Sequence, residues 1–525
     1  MNRPLAQITT LAQKLILSMG LSLGMGGISA VLAEPIDITL LHLNDIYEIT
    51  PVAGGKSGGL ARVATVRRQL LQANPNTLTV LAGDAFSPSA LGTAKVNGDR
   101  LAGQQMVAVL NTLGLNYATF GNHEFDISAS QFRQRLRESK FQWISSNVVD
   151  ANGFPFWGVP VSQILNITGK AGTKIQVGIL GVTIASNPRD YVQYQDAIVA
   201  AQLQVKNLQR QGADIIIALT HLSLAEDQQL AASVPEIDLI LGGHEHENIQ
   251  QWRLVSRPHL PQNCRNVGVP IFKADANVRT VYIHNLRYDP NTRCLTIASE
   301  LRPITSAIPN DPKTAAEVQS WLQKGFAAFR AQGFEPLEVV TTTTENLDGL
   351  ESSVRNHATT LTQLIATAML QAVDGAELAI FNGGSIRIDD VLPAGAITQY
   401  DVIRILPFGG KILQVKMNGD VLQRVLDQGM TNRGSGGYLQ TANVTQTQPG
   451  KWQVQGKPID LDRAYRVAIT DFLMTGREQG LGFLTLTTPG VEPVGEYDDI
   501  RFAVIKQLKA MGNAQASTKH TGARN

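Results

Sequence analysis

In the first half of the chain, five short apolar runs each end on residues that can bind a metal ion. Ile36–Leu43 leads into Asn44-Asp45, Leu78–Ala82 into Gly83-Asp84, and Tyr117–Phe120 into Gly121-Asn122-His123-Glu124. Asp214–Thr220 leads into His221, and Ile237–Leu241 into Gly242-Gly243-His244-Glu245-His246. Ile175–Val182 is a further apolar run. Between them, Ala61–Leu71, Gln104–Leu113, Ser128–Ser139, Asp196–Gln211 and Glu226–Ser233 carry helical spacing, and Ser128 is suited to cap its helix. This alternation predicts an α/β fold with layered sheets. In such sheets the carboxyl ends of the strands share one rim, and sites form there.

The residue types on that rim suit a pair of divalent cations. Carboxylate, amide oxygen and imidazole together fit Zn, Mn, Fe or Co better than the all-oxygen cage preferred by calcium. A carboxylate shared by two ions would hold both against one phosphate. Any one of these motifs is weak, because a Gly-Asp pair after a strand is usually a turn. Their ordered repetition is what points to a metal site. His42, His259, His284, His357 and His520 lie outside the pattern and read as structural or surface histidines.

With 525 residues the chain is too long for one core. Strand and helix patterns over 34–308 predict an amino-terminal sandwich of β-sheets flanked by helices. Residues 309–336, after a turn containing Pro309 and Pro312, predict a linker helix. A second, smaller α/β domain is expected over 337–511, and 512–525 reads as a flexible tail.

Residues 1–33 read as a secretory signal peptide. Arg3 and Lys14 precede a Gly-rich apolar stretch that ends in Val31-Leu32-Ala33. Export to a periplasmic or extracellular location follows, with no membrane span left after the signal is removed. Cys264 and Cys294 are the only cysteines, and an oxidising compartment favours their pairing. The formal net charge of +1 and the lack of a basic stripe argue against a nucleic-acid polymer as partner. Sequence says nothing of oligomeric state.

Taken together, the first-half motifs resemble the calcineurin-like metallophosphoesterases. In the second half, Arg355, Asn382-Gly383-Gly384-Ser385-Ile386-Arg387 and Leu406-Pro407-Phe408-Gly409-Gly410 resemble the carboxy-terminal domain of secreted bacterial 5′-nucleotidases. The resemblance spans nearly the whole chain after the signal. It implies hydrolysis of nucleotide phosphate esters by a water activated between two divalent ions. It also implies roles. Asp84 bridges the ions, Asp45 and His246 serve one, and Asn122, His221 and His244 serve the other. His123 acts on the phosphoryl group and is oriented by Asp126. Arg355, Asn382, Gly384 and Arg387 bind the nucleotide, and Phe408 and Phe483 stack on its base.

Two departures qualify the resemblance. Where the family has Asp-x-His, this chain has Asp45-Ile46-Tyr47, and residues two apart on an extended segment point the same way. Tyr47 therefore falls where an imidazole is expected, which implies either a phenolate ligand or one ligand fewer. The closing Gly-Gly-Asp-Gly-aromatic segment is replaced by Gly476-Arg477-Glu478-Gln479-Gly480-Leu481-Gly482-Phe483. The same architecture also serves 2′,3′-cyclic-nucleotide phosphodiesterases, 3′-nucleotidases and UDP-sugar hydrolases. A chain of another class, a nucleotide-binding protein without catalysis, would carry the same folds.

Overall fold

The structure is a computed structural model that describes residues 33–249, 253–256 and 268–522. The signal segment therefore lies outside the described residues apart from Ala33. Two six-stranded sheets form the first part of the chain. In the first, the parallel strands Ile36–Leu43, Thr77–Ala82, Tyr117–Thr119 and Gln142–Trp143 lie in that order. Antiparallel Thr280–Asp289 and Cys294–Pro303 complete it beside Ile36–Leu43. In the second, Lys174–Thr183, Ile215–His221, Leu239–Gly242 and Gly268–Lys273 run parallel, and Ser162–Thr168 and Arg253–Ser256 form antiparallel edges.

Strand alternation explains the layering. Ile36, Ile38 and Leu40 share one buried cluster with Ile215, Ile217 and Leu219 of the other sheet. The intervening residues face outward to helices: Leu41 and Leu43 pack with Leu60 and Met106, while Ile216 and Ala218 pack with Val205 and Leu230. Side chains that point alternately to opposite faces thus build a helix–sheet–sheet–helix stack. The helices are Leu60–Ala73, Gln104–Leu113 and Ala129–Glu138 on one side, and Ala197–Arg210 and Leu224–Ser233 on the other. Ser128 caps its helix through a reciprocal bond pattern with Gln131.

The connection differs from the sequence expectation at its start. The helix covers only Pro312–Arg330 of the expected 309–336. Pro312 is not in a turn ahead of the helix. It sits at the first helical position, where a missing N–H costs nothing, and Asp311 caps the Thr314 amide at 3.0 Å. The helix packs against Leu60–Ala73 and Gln104–Leu113, and its buried Trp321 and Phe329 continue one apolar cluster into the second part of the chain.

That second part holds a five-stranded sheet in the order Leu439–Ala442, Leu378–Asn382, Ala464–Thr470, Lys411–Asn418, Val491–Asp499. Leu378 and Ile380 face one cluster, Ala379 and Phe381 the other. The final helix runs Ile500–Gly522, so the segment read from its composition as a tail is helical over 512–522. Cys294 is disulfide-bonded. Cys264, the only other cysteine, lies outside the described residues.

Candidate metal and nucleotide site

The parallel strands of both sheets end on the same rim. Asp45 follows Ile36–Leu43, Asp84 follows Thr77–Ala82, and Asn122 and His123 follow Tyr117–Thr119. His221 closes its own strand, and His244 follows Leu239–Gly242. Ligand-capable atoms of Asp45, Asp84 and His221 lie within 4.8 Å of one another, all buried. His246 Nε2 stands 3.5 Å from Oδ1 of Asp45. The His221 and His244 rings are 5.2 Å apart.

The backbone bends hard to achieve this. Asp45, Asp84, His244 and His246 all adopt positive φ, at 51°, 59°, 84° and 60°. Non-glycine residues rarely do so, and such conformations persist where surrounding contacts over-determine them. Those contacts are visible. The Glu124 carboxylate accepts the amides of Asp84 (2.9 Å), Ala85 (2.5 Å) and Gly121 (2.5 Å). Asn44 Nδ2 donates to Asp45 Oδ2 at 2.8 Å, and the His244 amide donates to the same oxygen at 2.9 Å. Gly121 leaves room for this turn, because a Cβ there would lie 2.1 Å from Oδ1 of Asp84.

The electrostatics ask for positive charge. Without an ion, His221 is pushed up to about 9: burial opposes its protonation, but the Asp84 and Asp45 carboxylates outweigh it. His246 rises to about 10 in the same way, against burial, through Asp389, Asp45 and Glu351. Burial, with His221 beside it, lowers His244 to about 4. Asn122 Oδ1 is buried without a hydrogen-bond partner. His221 Nε2 also lacks one, although Oδ2 of Asp84 is only 3.2 Å away. Lone pairs stranded beside paired carboxylates fit divalent cations, and the mixed N/O donor set suits transition metals.

Beside the cluster, His123 Nδ1 and Asp126 Oδ2 are 2.7 Å apart, and the His123 amide donates to Asp84 Oδ1 at 2.8 Å. Asp126 is not the helix cap, since Ser128 takes that position. Its second oxygen accepts from Asn187 Nδ2 at 2.6 Å and Arg189 Nη2 at 3.0 Å. Sequence reading missed Asn187 and Arg189. Both follow the end of strand Lys174–Thr183, and the rule that strand ends supply ligands would have flagged that loop.

Tyr47 lies inside the cluster. Its hydroxyl is 2.9 Å from Asp84 Oδ2, 3.3 Å from Asp45 Oδ1 and 2.8 Å from His246 Nε2. Burial and the Asp84, Asp45 and Glu351 carboxylates push its ionisation well above that of a free phenol.

The second domain presents its own set. Arg355 Nη2 bonds Glu351 Oε1, and Arg387 Nη1 is 3.7 Å from the same oxygen. Glu351 also lies 3.9 Å from Nδ1 of His246, and Asp389 lies 2.8 Å from the same nitrogen, so the two halves share one cleft. Gly384 packs against the Gly436 backbone, where a Cβ would lie 2.9 Å away. Asn382 Nδ2 donates to Glu478 Oε2 at 2.8 Å. Phe408 is 45% exposed, with the Arg387 guanidinium 5.7 Å from its ring centroid. Phe483 instead packs partly against the core of the second domain, and Arg424 stands 4.3 Å over its ring. Phe472 is also exposed, and its neighbour Asp471 accepts the Lys411 amide at 2.9 Å, next to the Phe408-Gly409-Gly410 turn.

Comparison with known proteins matches the two halves separately. The calcineurin-like phosphoesterase family model matches residues 38–248, and the 5′-nucleotidase C-terminal domain model matches 339–486. The chain belongs to the 5′-nucleotidase family of metallophosphoesterases. A 5′-nucleotidase of Bos taurus is 25% identical over 511 residues, covering 86% of each protein. A snake-venom 5′-nucleotidase of Naja atra is 26% identical over 496 residues, covering 84% of this chain and 90% of that protein. The crystal structure of a 5′-nucleotidase precursor from Thermus thermophilus superposes with a TM-score of 0.72 at 23% identity, covering 91% of this chain and 97% of the other. Members of the 5′-nucleotidase family are phosphoric monoester hydrolases that use divalent metals, and this chain carries both of the domains that define them.

Proposed function

We propose that the chain hydrolyses nucleoside 5′-monophosphates to nucleoside and phosphate, outside the cytoplasm. One observation carries the reading: Glu351, which holds Arg355 and lies 3.7 Å from Arg387 of the Asn-Gly-Gly segment, is 3.9 Å from Nδ1 of His246 at the buried Asp45–Asp84–His221 cluster. A phosphate-binding cation and a base-binding domain then share a cleft with a metal cluster.

In this reading Asp84 is the shared ligand. Asp45 and His246 serve one ion, with Tyr47 beside it, and Asn122, His221 and His244 serve the other. Two divalent ions there supply Lewis acidity and lower the pKa of water toward neutrality. The chain's own groups do the rest. Asp126 holds the Nδ1 proton of His123, so that Nε2 is turned to a phosphoryl oxygen and stabilises its developing charge. Arg355 and Arg387 take the phosphate oxygens, for which the Glu351 carboxylate now stands in. Asn382 and Gly384 line the nucleoside, and Phe408 stacks on the base, with Phe483 as its partner.

Export rests on the signal-like residues 1–33. It is supported by the venom relative. The test is metal content and phosphate release from one preparation, offered AMP, UDP-glucose, 2′,3′-cyclic AMP and an aryl phosphate. Two ions per chain and a preference for AMP are expected. Activity confined to the cyclic or aryl ester would overturn the 5′-nucleotidase assignment.

A further inference from the structure

Two consecutive carboxylates, Asp389 and Asp390, leave the second domain just after the Arg387 segment and bond to the first. Asp390 Oδ2 accepts the Ala53 amide at 2.8 Å. Asp389 Oδ2 is 2.8 Å from His246 Nδ1. Asp389 is 6% exposed, and its other oxygen accepts the Glu351 amide at 2.9 Å. Its φ of 38° is one that an L-residue seldom adopts. The carboxylate is thus fixed from both sides and has little freedom to turn elsewhere.

The opposite nitrogen of the same imidazole, Nε2, points into the cluster, 2.8 Å from the Tyr47 hydroxyl and 3.5 Å from Asp45 Oδ1. An imidazole that gives its Nδ1 proton to a carboxylate can present its Nε2 lone pair to a metal ion. It is also held in one ring orientation and made more basic. Glu351 is the other carboxylate near Nδ1, but at 3.9 Å it is beyond hydrogen-bond reach. The contact also crosses domains: His246 follows the strand Leu239–Gly242, while Asp389 lies beyond Leu378–Asn382.

We infer that Asp389 is a positioning residue for the metal centre, delivered by the nucleotide-binding domain, which orients His246 as a ligand and couples domain engagement to ion affinity at that position. The inference rests on the reading of His246 as a metal ligand. It gives a physical reason why this chain keeps a usable site with Tyr47 in place of an imidazole. One histidine fixed in orientation by a carboxylate offsets the weaker neighbour, provided the second domain is docked.

The test is titration of metal-free full-length protein with Mn²⁺, followed by calorimetry, for the parent chain and for H246A, D389A, D389N and D390A. Circular dichroism and Tm would show that each variant is folded. H246A should weaken one of the Mn²⁺ sites. D389A should weaken that same site about 10–100-fold. D389N keeps an acceptor oxygen but not its charge, so it should weaken the site less, and it serves if D389A does not fold. D390A removes the Ala53 and Val391 amide bonds and the Arg404 ion pair but leaves the His246 contact intact, so it should bind Mn²⁺ within about twofold of the parent. Excess Mn²⁺ should restore kcat in D389A, an effect that structural damage would not show. If H246A weakens a site while D389A and D389N bind as the parent does, the inference fails and the ligand reading stands. Equal weakening in D389A and D390A would also overturn it, because general loss of domain contact would then be the cause. If H246A itself binds Mn²⁺ normally, the ligand reading falls first and the inference with it.

Discussion

Tyr47 donates its phenol hydrogen to Oδ2 of Asp84 over 2.9 Å, at the centre of the carboxylate cluster. Burial and the surrounding carboxylates keep that phenol neutral. A neutral phenol is a poor ligand, so the position contributes a hydrogen bond where relatives of the Asp-x-His pattern contribute a nitrogen. Tyr47→His should therefore tighten Zn²⁺ binding by about tenfold or more, or ~1.4 kcal/mol. Tyr47→Phe should change metal affinity much less. Titration of both variants against Zn²⁺ and Mn²⁺ decides the point. A large loss of affinity in Tyr47→Phe would mean that the oxygen ligates as phenolate.

The His123–Asp126 pair separates chemistry from metal binding. His123 lies next to a proposed ligand, yet its Nδ1 is committed to Asp126 at 2.7 Å. His123→Ala should lower kcat by about 10²–10⁴ with the metal content unchanged. Asp126→Asn should give a smaller loss, because Asn187 and Arg189 still hold the side chain. Metal analysis alongside steady-state kinetics checks this. Loss of bound metal in His123→Ala would make the residue a ligand after all.

Base binding rests on two phenylalanines in unlike settings. Phe408 offers a half-exposed ring, whereas Phe483 is packed against the domain core under Arg424. Stacking on a base is worth ~1–3 kcal/mol. Phe408→Ala should therefore raise KM for AMP by about 5- to 100-fold with little change in Tm. Phe483→Ala should lower Tm and raise KM less. If Phe483→Ala instead raises KM as much as Phe408→Ala does at unchanged Tm, both rings stack. If neither moves KM, exposed Phe472 is the next ring to substitute.

The metal half of the site was legible because its signal repeats. A strand period, a turn and a ligand recur with the same grammar, and the shared rim follows from parallel strands alone. Helix bounds were equally readable where caps were local, as at Ser128 and Asp196. The contacts made at long range were not legible. Asp389 is 143 positions from His246, and Glu478 is 96 from Asn382. No local pattern distinguishes such carboxylates from surface ones. The connecting helix was read a few residues too long at each end: a proline ahead of a helix and one at its first position look alike, and only the Asp311 cap places Pro312 at the start.

Lys273 carries the last expectation, one of stability. Its ammonium is fully buried and donates to the Leu222 carbonyl at 2.6 Å. It also lies 3.0 Å from Asp227 Oδ2 and 3.5 Å from Glu245 Oε1. It thus pins the loop after His221 to the loop that holds His244 and His246. Removing one partner of a buried pair leaves an uncompensated charge, at a cost of ~3–5 kcal/mol. Asp227 can escape part of that cost by taking up a proton, since burial already raises its pKa despite the Lys273 charge. Stability is then fully retained only below the raised pKa, so Lys273→Met should be destabilised more at neutral than at acid pH. Thermal unfolding at pH 5 and pH 8 should show a Tm loss of about 5–15 °C at the higher value and a smaller loss at the lower. The double variant Lys273→Met with Asp227→Leu should recover much of it, because two apolar groups can replace a buried ion pair. Equal losses at both pH values, unrelieved in the double variant, would mean that Lys273 acts through packing and its Leu222 bond alone.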